Sequence, residues 1–137
     1  MAVVEELLRS EANGKISFGN HTLQNKGKKD DFENAGDNLK VKTCKEITKL
    51  EKNGMFLYES VPGTSVNDFL ETAGGVEFIV EGSEDAQITV GLKANAEYQV
   101  YIQDKSVGTM KTGMSGKLSI SVELAMVGDV VVRIVEE

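Results

Sequence analysis

The sequence is poor in the residue types on which most site chemistry is built. Among its 137 residues there is no tryptophan, one cysteine, one histidine and one proline. Cys44 alone cannot close an internal disulfide. Cys44 and His21 together cannot complete the four ligands of a structural zinc site. No apolar run approaches the roughly 18–20 residues of a membrane-spanning helix. Basic charge is also scarce: 15 Lys and Arg stand against 22 Asp and Glu, a net charge of −7. That balance opposes non-specific binding to nucleic acid or to an anionic membrane, both of which present negative charge. The opening MAVVEELLRSEANGK has glutamates where a signal peptide carries positive charge, and its apolar stretch is interrupted. We therefore expect a cytoplasmic protein that contacts neither nucleic acid nor membrane. Asn20-His21-Thr22 matches a glycosylation triplet, but a cytoplasmic chain never meets that machinery.

What is present reads as β structure. Fourteen glycines punctuate a chain that is 40% apolar, enough for a real core with many tight turns. The second half alternates clearly. Residues 76–81, 86–92, 97–103, 106–110, 117–124 and 130–135 read as six strands separated by short turns. Earlier, Ile16 and Phe18 alternate with polar neighbours, as do Leu39, Val41 and Thr43. Asn53-Gly54 marks a hairpin turn before MFLYESV. Residues 24–38 read as a polar loop, and 65–75 as irregular with one helical turn near Asp68. Residues 2–11 read as a short amphipathic helix, with Val3, Val4, Leu7 and Leu8 on one stripe and Asn13-Gly14 as its stop. It would cover a sheet edge or dock a partner. A strand over Ala2 to Leu8 is the alternative, since short apolar runs fit both.

Two stretches, 47–81 and 88–123, share a pattern. Ile47-Thr48, Leu50, Asn53 and Phe56 match Ile88-Thr89, Leu92, Asn95 and Tyr98. Gly63-Thr64 matches Gly108-Thr109, and Gly75 matches Gly116. An internal duplication accounts for this; convergent turn chemistry is the competing account. The expected fold class is an all-β sandwich built from two similar β units with a short N-terminal helix. The organisation is residues 1–14 as helix, 15–74 as a first β lobe and 75–137 as a second lobe.

Two ligand-binding patterns fail on their own residues, and one catalytic pattern depends on the fold. Asp30, Asp31, Glu33 and Asp37 surround Gly36, but a calcium loop starting at Asp31 needs a bidentate glutamate where Lys42 stands. Gly113 to Lys117 suggests a phosphate loop, yet Lys111 and Leu118 occupy positions that require glycine and Ser or Thr. His21 and Cys44 would form a nucleophilic dyad only if the fold joined them. Cys44 shares a strand face with Lys40, Lys42 and Glu46, which predicts partial exposure. Phe32, Phe69 and Tyr101 are the candidates for stacking on a sugar.

The run Leu92-Lys93-Ala94-Asn95-Ala96-Glu97-Tyr98 resembles the tyrosine corner of fibronectin type III and immunoglobulin-like domains. The resemblance implies a Tyr98 hydroxyl bonded to backbone upstream, with the ring in the core. Residues 86–135 also resemble the terminal β-sandwich pieces of some bacterial polysaccharide-degrading enzymes. The chain as a whole, with SEANGKISFGN, VKTCKEITKLEKNGMF and VEGSEDAQITVGL, is similar to small bacterial β proteins, some of which are labelled endosialidase. That label implies a glycan ligand or glycoside hydrolysis. Sialidases grip a carboxylate with clustered arginines, whereas this chain has only Arg9 and Arg133. They also use a tyrosine nucleophile, and Tyr58, Tyr98 and Tyr101 all fall in predicted strands.

The sequence therefore supports a non-catalytic binding or assembly module with a protein partner or self-association. It assigns no catalytic, cofactor or metal residues. A carbohydrate-related role is the alternative.

Overall fold

The computed structural model describes residues 3–137. They form an antiparallel β-sandwich. Its strands are β1 (Leu8–Ser10), β2 (Ile16–Phe18), β3 (Gly27–Asn34), β4 (Asp37–Thr43), β5 (Thr48–Lys52), β6 (Met55–Val61) and β7 (Ser65–Thr72). The second half adds β8 (Gly75–Glu81), β9 (Ala86–Gly91), β10 (Glu97–Ile102), β11 (Lys105–Lys111), β12 (Lys117–Val122) and β13 (Val130–Glu136). These last six lie where the alternation placed them. One sheet runs β1-β2-β7-β8-β13-β10-β11 and the other β12-β9-β6-β5-β4-β3. Both sheets mix strands from residues 15–74 and 75–137, and their inner faces share one core.

Side chains of a strand point alternately to its two faces, which decides the core. Val76, Phe78 and Val80 of β8 face inward, as do Val130, Val132 and Ile134 of β13. Leu39, Val41, Ile88, Val90, Leu118 and Ile120 close it from the other sheet. At its centre Phe18 and Tyr58 meet edge to face at 5.1 Å, and Tyr58 meets Phe78 the same way at 5.6 Å. Such edge contacts contribute about 0.5–1.5 kcal/mol each beyond area burial.

Four local expectations are corrected. The helix over residues 2–11 does not form; its first residue lies outside the described part, and residues 3–11 turn and then enter β1. The Val4 N–H donates to Gly19 O, Leu7 takes a positive φ of 73°, and Leu8 pairs with Phe18. Sheet pairing thus overrides an amphipathic stripe too short to be helical alone. Only a single 3-10 turn, Ala12–Gly14, follows. The polar loop over 24–38 is mostly the β3–β4 hairpin, with a bulge between Lys29 and Phe32 at which Asp31 has φ 54°. Residues 65–72 form β7 rather than an irregular segment, again with a bulge, at Asp68. In both cases the extra residue breaks the two-residue period that sequence reading relies on. Cys44 is only 1% exposed. It follows the end of β4, so the strand alternation that pairs it with Lys40 and Lys42 no longer applies.

The two matched stretches are not built alike. Asn53 and Asn95 share the same left-handed φ of 53°. However, β5 and β6 are hairpin neighbours in one sheet, whereas β9 and β10 lie in different sheets.

The bond implied by the tyrosine-corner resemblance is present. Lys93 N–H donates to Tyr98 Oη at 3.1 Å while the ring is buried. Thr112 locks the same turn: its Oγ1 donates to Lys93 O at 2.5 Å and accepts the Ala96 N–H at 3.0 Å. Tyr98→Phe keeps the buried ring and orphans the Lys93 amide. Urea unfolding is expected to show a loss of about 1–2 kcal/mol. A loss under about 0.3 kcal/mol would mean that the hydroxyl does not hold the turn.

Candidate functional site

Three surfaces can carry function. The first is a groove across one end of the sandwich. Three adjoining depressions of about 240, 250 and 310 Å³ share Glu71 in their walls. Lys52 stands among them, 2.6 Å from Glu71 and 3.8 Å from Asp37. Its pKa is raised, first by the Glu71 hydrogen bond and against the cost of burial. The Lys52 ammonium thus occupies the space between the two carboxylates, where a glycosidase leaves room for the glycosidic bond.

The second lies at the opposite end, where His21, Gln24, Lys45, Pro62 and Glu84 line a cleft of about 300 Å³. Its floor is a buried hydroxyl network. Thr48 Oγ1 donates to Thr64 O at 2.7 Å and accepts the Thr64 N–H at 3.1 Å. The single Thr48 proton being used, Thr43 Oγ1 must donate to Thr48 at 2.8 Å, while Thr43 accepts the Asn20 N–H at 2.9 Å. Thr64 Oγ1 bonds both Tyr58 Oη and Ser60 Oγ at 2.7 Å. Burial pushes the Tyr58 phenol up, so it stays a neutral member of this network. Gly63 is needed here because a Cβ would come within 1.9 Å of Cys44 O.

His21 is 9% exposed and its Nδ1 lies 2.7 Å from Ser65 Oγ. Ser65 Oγ also accepts the His21 N–H at 3.3 Å. Ser65 is fully buried, so it holds the ring and offers no nucleophile to a substrate. No hydrogen bond joins His21 to Cys44; the ring nitrogen that is bonded has Ser65 as its partner, and the dyad does not assemble.

The third surface is the outer face of the seven-stranded sheet. The middle of the six-stranded sheet is polar outside: one cross-strand row reads Lys42, Lys49, Glu59, Thr89, Ser119, and the exposed apolar Met55 and Val61 stand at the ends of β6. The corresponding rows on the other sheet read Leu70, Glu77, Arg133, Tyr101 and Asn67, Ile79, Val131. Val131 is 41% exposed, and Ile79, Val135 and Tyr101 are half-buried. The Arg133 guanidinium lies over the Tyr101 ring at 4.3 Å. Arg133 has no ion-pair partner among the described residues, although Glu77 is its direct neighbour on β8.

The remaining sequence candidates are dispersed. Asp30 and Asp31 sit at the β3 bulge, and Asp37 binds Lys52 and the Asn53 amide. No group of three or more His, Cys, Asp and Glu able to hold a metal occurs among the described residues. Gly113 to Lys117 is the connection into β12, a strand. Phe69 is core. Phe32 and Tyr101 each carry a cation over a ring face, as does Phe56 beneath Lys117. Arg9 is tied to Glu6 and Glu11 on β1, with three strands between it and Arg133. No helix among the described residues is long and apolar enough to cross a membrane. Sequence reading missed the apolar outer face. Its signal is the run of adjacent apolar residues in VEFIVE and VVVRIVE, which fills both faces of a strand.

Comparison of the chain with protein-family models, with curated proteins and with solved structures gives no match.

The buried histidine generates a pH prediction. Desolvation lowers the His21 pKa below 6.5, and the Glu81 charge only partly opposes it. Lys45 and Glu84 face the same cleft. With the folded pKa below the unfolded one, this group's contribution is complete above about pH 6.5 and is lost as pH falls through the folded value. Unfolding free energy should thus fall more steeply between pH 7 and pH 5 in the native protein than in His21→Gln. Parallel pH profiles would contradict this.

Proposed function

We propose that the protein is a non-catalytic cytoplasmic binding or assembly module that docks another protein surface through the outer face of β8, β13 and β10. The observation that carries this reading is the contrast between the two outer faces. A sheet that faces water on one side alternates apolar and polar residues, and the middle of the six-stranded sheet does so, its exposed Met55 and Val61 standing at the two ends of β6. The centre of the other sheet places Ile79, Val131, Val135 and Tyr101 outside, beside Arg133. Tyrosine and arginine are enriched in the energetic centres of interfaces. A side-chain surface of this kind, rimmed by polar residues, is the pattern of a contact site.

The carbohydrate alternative draws on the end groove, where Asp37 and Glu71 approach one lysine. It has less support. The rings outside the core have a cation on one face, where a sugar would stack, and Lys52 neutralises the carboxylate pair.

A photo-crosslinking amino acid at position 131, compared with the same group at position 89 on the polar sheet, tests the reading in the source cells. Protein adducts from 131 and none from 89 are expected. No adduct from 131, or equal adducts from both, would overturn it.

A further inference from the structure

We infer that the occupant of this face is a second copy of the same chain, packed sheet on sheet about a twofold axis parallel to β8 and β13. The inference rests on the docking reading above and names its partner. In an isologous interface, residue i meets j and j meets i, so the surface must be its own complement. The outer face meets that condition in both charge and apolar pattern. Arg133 and Glu77 stand directly opposite each other on β13 and β8, as do Val131 and Ile79. An axis between the two strands, along their direction, lays each β13 over the second copy's β8. Arg133 then faces Glu77 of the second copy, and Val131 faces Ile79 of the second copy.

Within one chain the two charges are adjacent yet unpaired. The guanidinium is drawn over the Tyr101 ring, 4.3 Å from its centroid. Arg133 thus keeps its donors, and Glu77 its oxygens, free of ion pairing among the described residues. Across the axis both pairs form at once. Local neutrality also matters. The chain carries −7 overall, which would oppose self-association through most of its surface. Here one arginine and one glutamate balance at the centre of the patch.

The test uses sedimentation velocity on the native chain, Arg133→Glu and Glu77→Arg. The native chain is expected to be a dimer at about 100 µM. Each variant alone places like charges across the axis and should dissociate at least about tenfold more readily. An equimolar mixture of the two variants restores both opposite-charge pairs between unlike chains, so it should regain the dimer mass. Neither variant can gain this from its own fold, which separates the interface from any intrachain effect. Each isolated variant is expected to keep the far-UV circular dichroism spectrum of the native β-sandwich, which shows that it still folds. A mixture that stays monomeric overturns the twofold pairing. A monomeric native chain overturns the second copy as occupant. In that case, adducts from position 131 to a different protein leave the docking face standing, and their absence removes both.

Discussion

The pairing of β8 with β13 organises the molecule. The last strand of the chain inserts between β8 and β10, so that strands distant in sequence close one sheet. The insertion is tight: a Cβ on Gly75 would come within 1.9 Å of Ile134 O, at a backbone φ of 151°. Glycine is the residue that tolerates both. The same pairing sets two apolar-rich strands side by side. Their inner residues fill the core. Their outer residues, by the same alternation, have no element above them among the described residues. Fold and proposed function therefore come from one constraint.

A second constraint fixes the opposite end. The hydroxyls of Thr43, Thr48, Ser60 and Thr64 are buried together with Tyr58, and each has a partner. Buried polar groups are costly unless bonded, and a fully satisfied network specifies one arrangement of the loops that carry it. No buried side-chain nitrogen or oxygen among the described residues lacks a partner. The His21 ring inherits its orientation from this frame through Ser65.

Much of the β pattern was legible because alternation is a local signal. Residues 75–137 show it plainly, and their strands fall within a residue or two of the expected limits. The N-terminal segment was illegible for a stated reason: Val3, Val4, Leu7 and Leu8 fit a helical stripe, and only the long-range partner Phe18 selects the strand. Asp31 and Asp68 hid two strands, because a bulge shifts the period by one residue. Of the sites, the failures of the metal, phosphate and dyad patterns rested on particular residues such as Lys42, Lys111 and Leu118. The outer face could not be read from them. Val131 and Ile79 look like core until the sheet order shows which side has no cover.

The central claim is that this face is covered in the working state of the protein. Methyl resonances of Ile79, Val131 and Val135 can be followed as a soluble paramagnetic agent is added to the protein at assembly concentration. The account predicts that these methyls are shielded while Thr89 and Met114 are strongly relaxed. Equal relaxation of Val131 and Met114 would contradict it.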